Sequence, residues 1–482
     1  MTMAAMDLLP LLFLAAGTTA RAGTLTYEEA LQRALDGNAE LLKAAEGQRS
    51  ADGALLAARA TFEPTLTASG SWLSSRGEST QQYGDVFSDF QSLSWDAAVS
   101  QTLFTGTNLS LSTSGSQSRF RYELPDTGFV VESEDPEFST ELQARVSQNL
   151  LQGLSPSYNE QAVRTARRAR TSAELQVEQT RQQTLADTAN LYWSLYYAQE
   201  LVRIAEQSLA VAEEERRVVL AKVEAGELAP VEATRVEAAV VQARSSLIEA
   251  RNGRDAAAEA LQLMVGEEAD GDVTAVTPPA EPTPVDLDLD ALVRDALYHN
   301  PGLQLLRLQE EGAAADLRDA RHARLPQLSA TGALTLKGYE TALGDSYREL
   351  FGGSLRDWYL GADLTLPLGN RADRGAVIQG QATLAQARID REAYERSLVQ
   401  QVRNQVRQVE QDSVKLELAQ ANLRLAEQTL AAERALQEAG RALQKDVLEA
   451  IKAVDDARVA VERARGDHAV AVVELMRLRG AL

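Results

Sequence analysis

The residues best suited to chemistry in this sequence are acids at matching positions in its two halves. Glu232 follows Gly226 by six residues, and Asp446 follows Gly440 at the same distance. Asp446 and Glu449 are three residues apart, so on a helix their carboxylates lie on one face. Carboxylates gathered at a narrow place repel one another and attract cations. They could also be ordinary solvated acids, because the chain contains 70 Asp and Glu residues.

Patterns typical of enzymes are absent from the sequence. There is no cysteine, and metal-ligand spacing is lacking between the histidines, which are His299, His322 and His468. Neither a phosphate-binding glycine loop nor an activated nucleophile motif occurs. We therefore expect no catalytic activity, no metal and no cofactor. Helical spacing favours packing over ligand binding for one aromatic cluster, which comprises Tyr192, Trp193, Tyr196 and Tyr197.

The composition indicates an exported protein built largely from long, closely packed helices. Apolar residues make up 44% of the 482 residues, whereas aromatic residues make up only 5%. The net charge of −22 argues against nucleic acid as a partner, since nucleic acid attracts clustered Lys and Arg. Residues 1–22 are predicted to be a signal peptide, with an apolar run over 8–16 and an Ala-Arg-Ala cleavage site, although no basic residue precedes the run. No apolar stretch is long enough for a transmembrane helix.

Two parts of the chain resemble each other, which predicts two structural repeats. Leu25–Ala68 aligns without gaps with Leu287–Ala330 at an offset of 262, whereas Gly226 and Gly440 pair at an offset of 214. The first copy therefore carries 48 additional residues. A segment over 97–106 recurs over 144–153, which is 47 residues later. We interpret the additional chain as a duplicated β-hairpin.

The first repeat, over residues 23–265, is predicted to contain two long helical parts and four strands. A helix over 27–62, with Thr26 as its N-cap, ends before Pro64. Four segments with membrane-strand character, about 10 residues each, follow over 65–73, 93–104, 108–118 and 139–151. Residues 76–92 and 119–138 are expected to be long polar loops. A helix of about 67 residues over 159–225 would extend ~100 Å, and a return helix follows over 231–265.

A proline-rich linker over residues 266–286 precedes the second repeat, which is predicted over residues 287–482. The second repeat holds a helix over 288–324, two strands, a helix of about 69 residues over 371–439 and a return helix over 445–479. Its loop is expected over 339–356. Apolar residues recur every seven positions in both long helices, which predicts supercoiled packing, for example at Val402, Val409 and Leu416.

This order of elements, together with several short motifs, resembles the TolC-like outer-membrane efflux protein family. The motifs are Leu-x-x-Ala-Leu-x-x-Asn at 31–38 with its echo at 294–300, Pro64 and Pro326 at the strand entries, Ser147–Gly153 before the long helix, and Asp446–Ala450 after the second glycine. The resemblance covers nearly all of the sequence after the signal peptide.

The resemblance implies an α+β membrane protein that forms a homotrimer. Strands from three protomers would form one β-barrel in the outer membrane, and the long helices would continue it as an α-helical tunnel in the periplasm. Family members usually give four strands per protomer, so six strands imply a wider barrel unless the extra pair lies outside the sheet. The implied location is the cell outer membrane, in contact with lipid, with an extension into the periplasm.

The resemblance also implies roles for residues near the two glycines. In the family, acids surround a closed periplasmic entrance, and Asp446, Glu449 and Glu232 occupy the matching positions. The family often has an arginine two residues after the second glycine, where this chain has Ala442, so an identical salt bridge is not expected. A periplasmic adaptor would meet the tips of the helices, at Gly226, Gly440, Val223, Leu228 and Arg441. The glycines can also be explained simply as helix terminators, which does not exclude an adaptor contact.

We therefore predict an outer-membrane channel of a tripartite efflux system. It would passively conduct substrates to the exterior from an inner-membrane pump and a periplasmic adaptor, or membrane fusion protein. One alternative is the exit duct of type I protein secretion, which uses the same architecture. The other is a periplasmic coiled-coil adaptor or scaffold, which also has long helical hairpins but carries lipoyl-like domains in place of membrane strands.

Overall fold

The computed structural model describes residues 23–81, 84–124, 128–132, 137–269, 273–279, 288–352, 355–439 and 441–482. Within these residues the fold is α+β and divides into two compact units. Unit 1 comprises the chain up to Gly47, Glu174–Leu305 and Glu392–Leu482, and unit 2 comprises Gln48–Ala173 and Leu306–Arg391. The predicted signal peptide and parts of the predicted linker lie outside the described residues.

The secondary-structure elements are numbered here in chain order. The strands are β1 (Gly23–Leu25), β2 (Thr65–Gln81), β3 (Gly84–Thr102), β4 (Thr107–Leu124), β5 (Phe129–Glu132), β6 (Glu137–Asn149), β7 (Val273–Ala275), β8 (Gln327–Glu340) and β9 (Arg356–Thr365). The helices are α1 (Tyr27–Gly37), α2 (Ala39–Arg59), α3 (Pro156–Asn159), α4 (Gln161–Glu224), α5 (Pro230–Met264), α6 (Leu289–His299), α7 (Pro301–Ala323), α8 (Leu343–Gly352), α9 (Arg371–Glu438) and α10 (Gln444–Arg479). None of the described helices is long and apolar enough to cross a membrane.

Unit 2 is built around one antiparallel sheet with two chemically different faces. Its strand order is β2-β3-β4-β6-β8-β9, and the short β5 pairs with the end of β4. Directly opposed residues form an apolar row across six strands, namely Leu66, Val99, Leu111, Ala144, Leu334 and Trp358. The opposite face carries a polar row, namely Ser69, Asp96, Ser114, Glu141 and Lys337. Because successive side chains of a strand alternate between faces, the sequence alternation produces this two-faced sheet.

The strands are longer than the sequence indicated, so both predicted long loops in the first half are wrong. The β2–β3 ladder continues from the Thr65–Ser100 pair to the Gln81–Gly84 pair, through most of residues 76–92. Residues 119–124 belong to β4, and β5 occupies 129–132. The ladder joins backbone N–H and C=O groups, so it continues where the side chains become polar. The expected loop over 339–356 likewise contains α8.

All six long strands lie in the same sheet, which places the additional hairpin inside the sheet. The recurring segments 97–106 and 144–153 both reach the end of the sheet at which β3 and β6 finish. Each segment finishes at a glycine with positive φ, +77° at Gly106 and +85° at Gly153. The connection from β3 to β4 is tight, because Leu103 N donates to Thr107 O over 2.8 Å.

Unit 1 contains two helix breaks that the sequence analysis missed, one at Asn38 and one at Asn300. The side-chain oxygen of Asn38 accepts from Leu41 N over 3.1 Å, and that of Asn300 accepts from Leu303 N over 3.1 Å. Each asparagine therefore caps a new helix, α2 or α7, where one continuous helix was predicted. Their amide nitrogens donate to the last turn of a return helix, at Met264 O and Leu478 O. The two junctions have the same construction.

Part of the predicted heptad stripe of α9 lies in the interior of unit 1. Val402, Val409 and Leu416 of α9 are buried, and part of this stripe packs against Ala471 and Leu475 of α10. The aromatic cluster of α4 is also packing, as expected. Tyr192 is fully buried, and its hydroxyl donates to Leu25 O over 3.0 Å and accepts from Thr277 N over 2.9 Å. These bonds attach α4 to the short parallel pair β1–β7.

Candidate functional site

The first predicted tip is a helix end that requires glycine. Helix α4 ends at Glu224, and Gly226 has φ +78°. Its N–H donates to Val223 O over 3.0 Å, while Leu228 N donates to Lys222 O over 3.3 Å. A Cβ added to Gly226 meets no atom within 4 Å, so glycine serves the left-handed backbone conformation and not a close approach. Leu228 is half-buried, and α5 begins two residues later.

The second predicted tip joins α9 to α10. Gly440 lies outside the described residues, and Arg441 beside it is exposed, with its N–H donating to Leu436 O over 2.8 Å. The carboxylate of Asp446 accepts from Leu443 N over 3.1 Å, which satisfies one of the free donors at the start of α10. Asp446 therefore has a local role in helix capping, whatever else it does.

The three predicted entrance acids lie in the first two turns of α5 or α10 and have different partners. Glu232 and Asp446 lie in the first turns of α5 and α10, and Glu449 lies one turn further along α10. One oxygen of Glu232 accepts from Arg235 over 2.7 Å, while its other oxygen is buried with no hydrogen bond from the described residues. Glu449 is exposed and 3.3 Å from Lys445. In the described ranges, no group of three or more acids, histidines or cysteines is arranged to hold a metal ion.

A groove of about 960 Å³ between α4, α5 and α10 was not identified from the sequence. Glu449 and Arg235 both line it, so the groove brings an α10 acid together with the partner of Glu232. Its wall includes small residues that recur every seven positions, namely Ala198, Ala205 and Ala212 on α4 and Ala243, Ala250 and Ala257 on α5. This alanine spacing is the signal that the sequence contained, because small residues on one helix face leave room for another helix.

Further along α10, two half-buried acids face α4. The carboxylate of Asp455 accepts a close hydrogen bond from the Ser208 hydroxyl, and Glu462 accepts from Arg465 over 2.9 Å. Burial raises the pKa of Asp455 above its usual range, and the Ser208 bond and Arg458 only partly oppose this. Burial also raises the pKa of Glu462. These acids are seven residues apart, so the α4–α10 interface has acids where an apolar stripe would be more stable.

Sequence comparison identifies the family. Residues 133–267 and 292–481, which are more than half of the chain, match the outer membrane efflux protein family. The chain belongs to this family. It is therefore an efflux protein of the outer membrane and not an enzyme. The alternative of a periplasmic adaptor or scaffold does not agree with this membership. Among curated proteins, none matches the sequence.

Solved outer-membrane channels share this fold at low sequence identity. CusC has a TM-score of 0.69 and 17% identity, over 95% of this chain and 92% of that chain. The CmeC outer membrane channel of Campylobacter jejuni has a TM-score of 0.68 and 17% identity, over 94% and 85% of the two chains. VceC of Vibrio cholerae has a TM-score of 0.67 and 15% identity, over 94% and 96%. The fold is therefore that of these channels over nearly the full chain.

We predict that Asp455→Asn stabilises the protein at neutral pH. Because the folded state raises the pKa of Asp455, the folded protein holds this proton over a pH range in which the unfolded chain has lost it. The contribution of Asp455 to the free energy of unfolding thus increases as the pH falls through the raised pKa. At neutral pH the buried carboxylate charge destabilises the folded state. Thermal unfolding should therefore give a higher midpoint for Asp455→Asn at neutral pH and no difference below the usual carboxyl range.

Asp456→Asn is the matched control, since Asp456 is the exposed neighbour of Asp455. It removes the same charge without removing a buried one, so its midpoint should follow that of the unmodified protein. Equal stabilisation by both variants would assign the effect to net charge and contradict the prediction.

Proposed function

We propose that this outer-membrane efflux protein acts as a homotrimeric channel. It would conduct substrates passively to the exterior from a periplasmic adaptor and an inner-membrane pump. The observation that carries this proposal is the two-faced sheet of unit 2, which has free edges at β2 and β9. Lipid cannot satisfy the backbone groups of a free edge, so a sheet in a membrane must close into a barrel.

The edge strands have the directions that closure between protomers requires. β2 begins and β9 ends at the same end of the sheet, where the Thr65–Ser100 and Gln327–Thr365 pairs lie. β9 of one protomer therefore runs antiparallel to β2 of the next when the sheets stand side by side. Six long strands per protomer support a wider barrel than the four that family members usually contribute.

The two faces of the sheet suit a membrane channel. On the apolar face, Leu66, Trp358 and Leu360 are largely exposed in the single chain, as residues in contact with lipid would be. The polar face, with Ser69, Asp96 and Glu141, would line an aqueous lumen. The matching junctions at Asn38 and Asn300 support the division into two repeats, 23–265 and 287–482, around the linker.

The tip acids fit the periplasmic entrance of such a channel. In a trimer, Asp446 and Glu449 would each be present three times around the axis, with Glu232 in the equivalent turn of the first repeat. Acids at these positions would repel one another and favour cations. This interpretation adds to the capping role of Asp446 and does not replace it.

The groove between α4, α5 and α10 fits a helix of the adaptor. Its alanines permit close approach of another helix, and its lining carries charges of both signs, including Arg235, Lys452 and Asp456. The groove reaches from Ser194 to the first turns of α10, close to the tip residues Arg441 and Leu228 along the chain. We therefore assign the tips and this groove together to the adaptor.

The channel proposal is tested on the purified full-length protein. We expect a trimer whose mobility on SDS gels changes on heating, and stepwise single-channel currents in planar bilayers. A soluble monomer that gives no current would contradict the proposal.

Conductance also tests the entrance acids. We expect the double variant Asp446→Asn, Glu449→Gln to lower the preference for cations and raise the single-channel conductance, because the repelling charges are removed. Asparagine keeps the oxygen that caps α10, so the helix start should be preserved. The control is Glu410→Gln, an exposed acid of α9, which should leave both quantities unchanged. Unchanged selectivity in the double variant would remove these acids from the entrance.

Cross-linking tests the groove, since the chain contains no cysteine to interfere. A photo-activated cross-linker attached at Ala243→Cys, in the groove, should capture a periplasmic protein with a helical hairpin, identified by mass spectrometry. The same label at Val241→Cys, exposed on α5 outside the groove, should not capture it. Adducts only between copies of this chain would instead assign the groove to the trimer interface.

A further inference from the structure

We infer that a polar cavity in unit 2 binds the phosphate group of a phospholipid in the periplasmic leaflet of the outer membrane. This inference rests on the proposed membrane position of the sheet. The cavity, of about 350 Å³, is lined by Ser155, Ser157, Tyr158, Arg164, Arg318, Asp319 and His322.

The residues that line the cavity lie close along the chain to one end of the sheet, where β6 ends and β8 begins. Strand β6 ends at Asn149, six residues before Ser155, and β8 begins at Gln327, five residues after His322. Asn149 and Ser329 pair with each other in the sheet, so both chain segments adjoin the same end of the sheet. With the sheet in the membrane and the long helices on the periplasmic side, this end of the sheet lies at the depth of the lipid headgroups.

The residues that line the cavity carry two guanidinium charges, on Arg164 and Arg318, and one carboxylate charge, on Asp319. Arg164 Nη2 lies 2.9 and 2.8 Å from the two carboxylate oxygens of Asp319, which form a closely paired ion pair. The Nε atom of Arg164 is buried and has no hydrogen-bond partner among the described residues. Arg318 is exposed and forms no ion pair within the part of the chain that the structure describes. One guanidinium charge, that of Arg318, is therefore available to an anion.

Neutral donors complete the lining. Tyr158 accepts at its hydroxyl from Gln152 Nε2 over 3.2 Å, which leaves its own proton free to donate. His322 Nε2 accepts from Gly153 N over 3.2 Å, so the neutral ring carries its proton on Nδ1. The two rings contact each other, with centroids 4.5 Å apart. The Ser155 and Ser157 hydroxyls are hydrogen-bonded to each other over 2.9 Å, which leaves the proton of one hydroxyl to donate to a ligand. A phosphodiester, which only accepts hydrogen bonds, suits this set.

Exposed leucines beside the cavity favour a lipid over free phosphate. Leu154 immediately precedes Ser155, and Leu325 follows His322 by three residues; both are exposed. Other exposed leucines at the same end of the sheet are Leu150, Leu151, Leu366 and Leu368, the last of which is 97% exposed. An apolar band beside basic residues matches the acyl chains and headgroup of one lipid molecule, whereas inorganic phosphate would use only the polar part.

The test is native mass spectrometry of the full-length trimer with phosphatidylglycerol, with a diacylglycerol of the same chains, and with inorganic phosphate. We expect the trimer to retain bound phosphatidylglycerol in the mass spectrum. The diacylglycerol, which lacks phosphate, should not remain bound. Arg318→Gln should weaken phosphatidylglycerol binding about tenfold or more, since it removes a charge-assisted contact. The matched control is Arg321→Gln, on the same helix but outside the cavity lining, which should bind as the unmodified protein does.

Equal loss in both variants, or no loss in Arg318→Gln, would overturn the inference. Binding of inorganic phosphate without binding of phosphatidylglycerol would also overturn it and would leave a free-anion site. Single-channel currents from the same preparation separate the two proposals. A conducting trimer without lipid binding contradicts only the phosphate site, whereas a non-conducting protein contradicts the channel itself.

Discussion

The free backbone groups along β2 and β9 are the constraint on which the rest of the structure depends. A sheet with a lipid-facing apolar side cannot leave these groups unpaired, because each unsatisfied group in hydrocarbon costs several kcal/mol. The chain meets this constraint with an even number of long strands, so that its two edge strands run in opposite directions. In the proposed trimer both edges can then pair with neighbouring copies, and the chain enters β2 and leaves β9 at the same end of the sheet.

Local helix chemistry and proposed function coincide at the tips. Gly226 ends α4 by adopting a left-handed conformation, and Asp446 starts α10 by capping its first turn. The same residues lie where the entrance acids and the adaptor surface are proposed. Helix termination brings free backbone donors, acids and small residues to the same place, so a structural requirement at the tips also provides a surface with charge and room for a partner.

The predictions succeeded where a pattern is local and failed where a single side chain or a long-range pairing decides. The heptad positions Val402, Val409 and Leu416 are buried as predicted, and Thr26 caps α1 with Glu29 bonded back to it. The helix breaks at Asn38 and Asn300 were missed, because an asparagine within an apolar helical pattern resembles a tolerated polar residue until its capping bonds are seen. The loops over 76–92 and 119–138 were wrong because ladder bonds continue independently of side-chain polarity.

The sequence by itself determined the long helices, the alternation of the strands, the duplicated segment and the helix turns that hold the proposed entrance acids, since periodicity and caps act within a few residues along the chain. Only the tertiary structure decided that all six long strands form one sheet, that alanines of α4 and α5 line a groove with α10, and that Arg164, Arg318 and His322 share a cavity. These arrangements depend on which faces of distant segments meet, and that is settled by the packing of the whole unit.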